Sequence, residues 1–166
     1  MGNVIIRSFE PIATPNARVL ILGSMPGVAS LEAGQYYAHP QNAFWRIMGE
    51  LVGAGLEKPY EERARILKAN GVALWDVLQS CIRPGSLDAD IRDEVPNDFA
   101  AFFASHPRIT HIGLNGGKAA ASFRKHAARD CPEQVIVASL PSTSPAHAAR
   151  SVAEKCALWR AALPVG

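Results

Sequence analysis

The chain has 166 residues, of which 48% are hydrophobic and 19% are charged, and its net charge is +2. This length is typical of one compact domain, and the composition excludes a disordered chain, which would be less hydrophobic and more charged. The 12 prolines and 13 glycines exclude a long coiled coil, and no apolar run approaches the ~20 residues that span a bilayer. Because a signal-peptide pattern is also missing, we expect a single domain over residues 1–166, soluble, cytoplasmic and monomeric.

The predicted elements alternate between short apolar strands and helices. In chain order they are the strand Arg18–Leu22, the helices Phe44–Val52 and Tyr60–Ala69, the strand Val72–Trp75, the helix Asp98–Ser105, the strand Ile109–Leu114, the helix Lys118–Ala128, the strand Val135–Leu140 and the helix Ala148–Leu163. This alternation predicts an α/β fold, a three-layer α/β/α sandwich with a central four-stranded parallel sheet. The segment Val28–Asn42 has no periodic pattern and is predicted to be a functional loop.

Polar, glycine-rich or proline-rich segments follow all of the predicted strands. They are Gly23–Gly27, Asp76, Asn115–Lys118 and Pro141–Pro145. In open parallel sheets, ligands bind beyond the carboxyl ends of the strands, so we expect these segments to line one crevice. Glycine fingerprints for a dinucleotide or a P-loop are missing from the sequence, which therefore does not indicate a nucleotide cofactor.

Four residues near the first two strand ends have both a structural and a functional interpretation. Tyr36 or Tyr37 could stack on a planar base, and we expect the other to fill the core. Asn42 precedes a predicted helix, so its amide either caps that helix or holds a water or a base edge. Asp76 ends a buried strand, where a carboxylate needs a hydrogen-bond partner, so it either caps the next helix or faces a substrate.

The segments after the last two strands contain candidate phosphate ligands. Asn115–Lys118 opens a helix, so its free N–H groups and Lys118 either hold a phosphate or form an ordinary tight turn. The hydroxyl groups of residues 142–144 can contact phosphates. A hydrolase that uses one of those serines with His147 and Asp76 is an alternative, although a G-x-S-x-G nucleophile elbow is not present.

The cysteines and the charge balance indicate little special chemistry. Cys81, Cys131 and Cys156 form no C-x-x-C pair, so they favour neither a zinc site, nor a disulfide framework, nor an iron–sulfur cluster. The near-neutral net charge does not indicate nucleic-acid binding through bulk charge. The excess of twelve arginines over five lysines is a weak indication of phosphate or base contacts.

Four motifs together resemble the uracil-DNA glycosylase superfamily. GSMPGVASLEAGQYYAHPQNAFWRIMGEL (Gly23–Leu51) is similar to its first motif, and HPQNAFW within it resembles the H-P-x-N-x-F-W of mismatch-specific uracil/thymine glycosylases. LPSTSPAHA (Leu140–Ala148) is similar to its second motif, a proline–serine loop. GVALWDVLQSCIRPGSLDADI (Gly71–Ile91) and IGLNGGKAA (Ile112–Ala120) resemble the hypoxanthine (deoxyinosine) DNA glycosylase branch. The resemblance covers roughly residues 16–163.

This resemblance implies a pocket at the strand ends that receives a flipped nucleotide. Tyr37 is then expected under the flipped base, and Asp76 lies where uracil enzymes carry a base-reading asparagine. The remaining residues expected at the base are Ser24, Met25 and Asn115. Those expected to contact the DNA backbone are Lys118, Ser142, Thr143, Ser144 and His147.

The first motif departs from the superfamily at one position. Many uracil enzymes carry aspartate or asparagine there, as in G-x-D-P-Y or G-x-N-P-G, to orient the attacking water, and this chain has Met25. Hypoxanthine-type relatives share this loss and are thought to rely on the asparagine of H-P-x-N, here Asn42. The resemblance therefore implies Asn42 and Asp76 as catalytic residues and favours a deaminated purine over uracil.

We therefore expect a monofunctional DNA glycosylase of base excision repair that removes hypoxanthine from double-stranded or single-stranded DNA. No metal or organic cofactor is expected, and no membrane partner. One alternative is a uracil/thymine mismatch glycosylase. Another is a damaged-DNA binding module that has kept the fold and lost its chemistry.

Overall fold

The computed structural model describes residues 4–147 and 149–165, which form two sheets and six α-helices. In chain order the elements are β1 (Ile5–Arg7), β2 (Val19–Gly23), α1 (Val28–Ala33), α2 (Phe44–Val52), α3 (Tyr60–Ala69), β3 (Val72–Asp76), β4 (Leu78–Ile82), β5 (Arg92–Pro96), α4 (Phe99–Ser105), β6 (His111–Asn115), α5 (Gly117–His126), β7 (Ile136–Leu140) and α6 (Val152–Ala162). Within this described part, no helix is long and apolar enough to cross a membrane.

The central sheet is parallel and has the strand order β3-β2-β6-β7. Side chains alternate between its two faces, as the pleat requires. Leu20, Leu22 and Ile112 pack against α4 and α5 on one face, whereas Val19 and Ile21 pack against α2, α3 and α6 on the other. Because both faces are covered, β2 is apolar at every position, and β6 is apolar between its terminal residues His111 and Asn115. The predicted three-layer sandwich is confirmed.

The helix boundaries follow local end signals. α2 and α3 begin and end where they were predicted. Asp98 caps α4 by accepting a hydrogen bond from the Ala101 N–H group. Ser151 and Glu154 form a reciprocal capping box at the start of α6, which the structure begins at Val152. The predicted start of that helix, Ala148, lies outside the described residues.

Two features correct the sequence-based prediction. β1, β4 and β5 form a separate antiparallel sheet, with β4 in the centre, which the sequence analysis did not predict. Its strands are short and half exposed, and therefore lack the apolar runs used to locate strands. The segment predicted as a loop over residues 28–42 begins with α1, which Gly34 ends in a left-handed conformation with φ +66°.

Candidate active site

A single pocket brings together the segments that follow β2, β3, β6 and β7. Its volume is about 160 Å³, and it is partly open to solvent. The residues predicted for the site that line it are Ser24, Met25, Tyr37, Asn42, Asp76, Asn115, Ser142, Thr143 and Ser144. An apolar cavity of ~150 Å³ is sufficient to bind benzene, so this pocket can receive a flat ring that also extends toward the opening.

Asp76 is the buried carboxylate of the pocket. It is 3% exposed, and its Oδ2 atom has no hydrogen-bond partner among the described residues. A Cβ atom built on Gly23 would lie 2.5 Å from Asp76 Oδ1 and 2.9 Å from the Tyr37 hydroxyl oxygen, so only glycine lets both groups approach this strand. Burial, and then the negative charge of Asp88, raise the pKa of Asp76 to about 7, although Arg83 opposes this shift.

The two neighbouring tyrosines have different environments, as expected. Tyr36 is 4% exposed, and its hydroxyl donates to the Glu10 carbonyl at 2.8 Å. Tyr37 lines the pocket with a positive φ of 54°, which is uncommon for a residue with a side chain. One face of its ring stacks on Phe44, with the ring centroids 4.2 Å apart. Tyr36 therefore belongs to the core, although it also borders the pocket, whereas the ring of Tyr37 lines the pocket and packs on Phe44.

Asn115 connects two walls of the pocket. Its Nδ2 group donates to the Tyr37 hydroxyl at 3.1 Å and to Thr143 Oγ1 at 3.0 Å, and its Oδ1 atom accepts from the Thr143 N–H at 3.0 Å. These contacts use the donors and one acceptor site of the amide. In the ligand-free pocket, Asn115 therefore positions Tyr37 and the loop after β7.

The loop after β7 packs against the turn that starts α5. Gly116 has a φ of +97°, and a Cβ atom there would lie 2.9 Å from Ser142 Cβ. Ser142 Oγ accepts from the Ser144 N–H at 3.1 Å, which stabilises the tight loop. The glycine is therefore required both by the backbone conformation and by the close approach.

Asn42 lies just before α2, at the edge of the pocket. Its Oδ1 atom accepts from the Phe44 N–H at 2.9 Å, so it satisfies the first free N–H of α2, although the N-cap residue itself is Ala43. The same residue lines the pocket, and within the described structure its Nδ2 group makes no hydrogen bond. The adjacent Ala43 N–H donates to the Thr143 carbonyl at 3.0 Å, which fixes this corner against the loop after β7.

A loop after β4 contributes groups that the sequence analysis did not identify. Asp88 Oδ1 accepts from the Ser24 hydroxyl at 2.8 Å, and Ser86 Oγ accepts from the Val28 N–H at 2.8 Å. Arg83 is 5% exposed and donates to the Pro26 carbonyl at 2.6 Å. The run RPGSLDAD is typical of a loop, but it does not reveal that the loop closes one side of the pocket.

Lys118 and His147 are not among the residues that line the pocket. Lys118 Nζ lies 2.5 Å from Glu94 Oε2, and His126 Nε2 lies 2.8 Å from the other oxygen of Glu94. His147 is exposed, and its carbonyl accepts from Lys155 Nζ at 2.7 Å.

The serine hydrolase alternative requires a histidine bound to a nucleophilic serine. Ser144 Oγ accepts from the Ala146 N–H at 3.3 Å. In the described structure, the ring of His147 makes no hydrogen bond to Ser142 or Ser144. The geometry therefore provides no serine–histidine pair.

The described residues provide no cluster of three or more histidine, cysteine or carboxylate side chains that could hold a metal ion. The three cysteines are free thiols. The pocket therefore combines an aromatic face, a buried carboxylate, a free amide donor and a hydroxyl-rich loop. This set can hold a flat polar ring and a water molecule beside it.

The comparisons with known proteins agree with this geometry. The model of the uracil DNA glycosylase superfamily matches residues 11–164. The chain is 40% identical over 117 residues to a hypoxanthine DNA glycosylase from Methanosarcina acetivorans, which covers 70% of this chain and 74% of that protein. It is 39% identical over 113 residues to a hypoxanthine DNA glycosylase from Methanosarcina barkeri, covering 68% of this chain and 72% of that protein.

A more distant relative and a solved structure extend the comparison. A G/U mismatch-specific uracil DNA glycosylase from Schizosaccharomyces pombe is 32% identical over 87 residues, which are 51% of this chain and 26% of that protein. The solution NMR structure of a candidate uracil DNA glycosylase from Methanosarcina acetivorans superposes with a TM-score of 0.79 and 34% identity. That superposition covers 95% of this chain and 98% of the other. The resemblance found in the sequence is confirmed, and the chain belongs to the uracil DNA glycosylase superfamily.

Proposed function

We propose that this protein is a monofunctional DNA glycosylase that removes hypoxanthine, the deamination product of adenine, and leaves an abasic site. The observation that carries this proposal is the buried Asp76 carboxylate, whose Oδ2 atom has no partner among the described residues of the pocket. Two relatives of about 40% identity that are named hypoxanthine DNA glycosylases support the same substrate.

Above its pKa of about 7, where its carboxylate is ionised, Asp76 distinguishes hypoxanthine from adenine by hydrogen bonding. Hypoxanthine carries a proton on N1 and therefore donates to a carboxylate, which only accepts. Adenine has an unprotonated N1 with a lone pair, so the same edge would place an acceptor against Asp76. A buried acceptor left without a donor costs ~1–3 kcal/mol, which is sufficient to disfavour adenine strongly.

The base reaches the pocket by flipping out of the duplex. Extrusion costs a few kcal/mol, and less for a weakly paired deaminated base. The ring of Tyr37 is fixed by Phe44 on one side and by the Asn115 amide at its hydroxyl, and it supports the flipped base. A fixed ring loses little conformational entropy when the base binds.

Cleavage of the N-glycosidic bond develops positive charge on the sugar and negative charge on the leaving base. Asn42 positions the attacking water by donating from its free Nδ2 group to the water oxygen, while Oδ1 remains on the Phe44 N–H. The water oxygen bonds to the sugar C1′ as the C1′–N9 bond breaks, and the proton that the water loses neutralises the departing hypoxanthine anion. An amide is a poor base, but an oxocarbenium-like centre needs little activation of its nucleophile. Preorganised donors toward the leaving base contribute about 3–4 kcal/mol each.

Met25 favours a purine over uracil in this proposal. Its side chain is 7% exposed, lines the pocket and packs into the core on the side of α4 and α5. A thioether neither orients water nor reads a polar base edge, so the water is left to Asn42.

The DNA partner is double-stranded or single-stranded DNA that contains a deaminated base, and the protein acts as a monomer. Residues 142–144 contact the phosphates that flank the flipped nucleotide. Lys118 and His147 contact the backbone farther from the pocket, and Lys118 exchanges Glu94 for a phosphate when DNA binds. No metal or organic cofactor takes part.

Base release from defined duplexes tests the proposal. Duplexes that contain deoxyinosine, deoxyuridine, deoxyxanthosine or only normal bases are incubated with the protein in the presence of a chelator. Alkali then cleaves the abasic sites. We expect strand scission at deoxyinosine and none at adenine. Binding without scission would instead support the damaged-DNA binding module, and scission at deoxyuridine alone would support the uracil/thymine alternative.

A further inference from the structure

Two carboxylates, Asp76 and Asp88, are among the described residues that line the pocket. Asp76 is 3% exposed and lies in the interior, whereas Asp88 is exposed to solvent. A base that reaches Asp76 has its sugar on the solvent side of the pocket, because the sugar stays joined to the DNA backbone outside. The carboxylate of Asp88 therefore lies on the side of the pocket where the sugar is held.

The Asp88 carboxylate is held in place without a neutralising partner. Its Oδ1 atom accepts from the Ser24 hydroxyl at 2.8 Å, and Ser24 is itself buried. Arg83, at the base of the same loop, uses its guanidinium to donate to the carbonyls of Pro26 and Gly85. Among the described residues, no lysine, arginine or histidine forms an ion pair with Asp88. The pocket therefore has a fixed and unpaired negative charge on its solvent side.

Release of a base requires stabilisation of the sugar. As the C1′–N9 bond breaks, its electron pair leaves with the base and positive charge develops on the sugar. A preorganised charge of the opposite sign stabilises that transition state, and it does so more strongly in a pocket than in water because the effective dielectric constant is lower. Met25 and Asn42 are uncharged, and Asp76 contacts the base in the proposed function. Asp88 is the charged group of the pocket that remains for the sugar.

We propose that Asp88 is a further catalytic residue, whose carboxylate stabilises the positive charge that develops on the sugar of the flipped nucleotide. Asp88 forms no bond in this step. Water supplies the oxygen that bonds to C1′, the base leaves with the bonding electron pair, and the proton from the water ends on the base. This inference rests on the proposed function, because it assumes that the pocket hydrolyses an N-glycosidic bond. The charge comes from the loop after β4, whereas the position at which many uracil enzymes carry an aspartate follows β2 and is Met25 here.

Kinetics that separate binding from chemistry test this assignment. Asp88→Asn removes the charge and keeps an oxygen that can accept from the Ser24 hydroxyl. The matched control is Asp90→Asn, which removes the same charge from an exposed residue of the same loop that is not among those lining the pocket. Single-turnover release of hypoxanthine from a duplex, over a range of protein concentrations, gives the maximal rate and the half-saturating concentration. A pH of about 9 is used, because Asp76 is then ionised in wild type and in both variants.

We expect the maximal rate of Asp88→Asn to fall at least ~10-fold, on the scale of losing one preorganised charged or polar group. Its half-saturating concentration should stay the same or fall, because a negative charge near the DNA phosphates is removed. A merely structural role of Asp88 would instead weaken binding. Asp90→Asn should keep the maximal rate within about twofold, and Asp88→Glu, which retains the charge, should recover part of the lost rate.

Three outcomes would contradict the role of Asp88. A maximal rate of Asp88→Asn within about threefold of an active wild type overturns that role and leaves the proposed function standing. An equal loss of rate in Asp90→Asn, or a loss in Asp88→Asn with a matching rise in the half-saturating concentration, does the same. If wild type releases no hypoxanthine, the proposed function fails, and the role of Asp88 fails with it.

Discussion

The titration of Asp76 should make this protein less stable as the pH rises. Burial and the charge of Asp88 raise the pKa of Asp76 from 3.8 to about 7 in the folded state. Between these values the folded chain binds a proton that the unfolded chain has released, so the free energy of unfolding falls with increasing pH. Such a shift corresponds to a total cost of about 4 kcal/mol for the ionised carboxylate.

The substitution Asp76→Asn isolates this effect, because it keeps the shape of the side chain and removes its charge. Below about pH 3 Asp76 is protonated in both the folded and the unfolded wild type, and well above pH 7 it is ionised in both, so only in these two ranges should the wild type match the variant in its pH dependence. From about pH 5 to about pH 9 the free energy of unfolding of the wild type should fall by about 3 kcal/mol relative to that of Asp76→Asn. Most of this change should be complete just above pH 7. Urea denaturation of both proteins across this range measures the difference.

A second variant tests why the pKa of Asp76 is raised. Asp88→Asn keeps an oxygen that can accept from the Ser24 hydroxyl and removes the charge that raises the pKa of Asp76. The pH-dependent loss should therefore become smaller but not vanish, because burial is the larger cause. If the unfolding free energies of wild type and Asp76→Asn run parallel from about pH 5 to about pH 9, Asp76 titrates normally and the electrostatic reasoning is refuted.

Three further predictions concern catalysis and DNA contact. Asn42→Ala should slow single-turnover release of hypoxanthine by about 100-fold or more, whereas retention within about threefold would remove Asn42 from the mechanism. The free energy of unfolding of Asn42→Ala should fall by about 1 kcal/mol because the hydrogen bond to the Phe44 N–H is lost, while Asn42→Asp keeps an accepting oxygen and therefore that free energy. Met25→Asn should raise release of uracil, and release that stays at background in a folded variant would mean that pocket shape sets the selectivity. Lys118→Ala should lower the slope of log affinity against log salt by about one. Glu94→Gln should strengthen DNA binding because it frees Lys118. Fluorescence anisotropy over a salt series measures both effects. An unchanged slope for Lys118→Ala together with an unchanged affinity for Glu94→Gln would place the DNA path elsewhere.

Local patterns were sufficient to predict the central sheet and its helices. The strands β2 and β3 are apolar at nearly every position because both faces are covered, and this gives a strong sequence signal. The two helices α2 and α3 carry their boundaries in their own sequences. The parallel arrangement then predicted that the polar strand ends would meet, and the pocket confirms that convergence.

The features that the sequence did not predict, the pocket loop after β4 and the antiparallel sheet, depend on contacts between distant parts of the chain. The Ser24–Asp88 hydrogen bond joins residues 64 positions apart, and Lys118 meets Glu94 across 24 positions. No local spacing encodes such pairs, so the loop after β4 was not assigned to the site. The antiparallel sheet was missed for a related reason, because its short strands gain stability from one another rather than from an apolar pattern of their own.

Chromatography of the products from a deoxyinosine duplex tests the central claim most directly. We predict that wild type, with a chelator present, releases free hypoxanthine in an amount equal to the abasic sites formed. An otherwise identical duplex with adenine at that position should release no base. Release of deoxyinosine as a nucleoside or nucleotide, or equal release of adenine, would contradict the assignment of the pocket to hydrolysis of the hypoxanthine N-glycosidic bond.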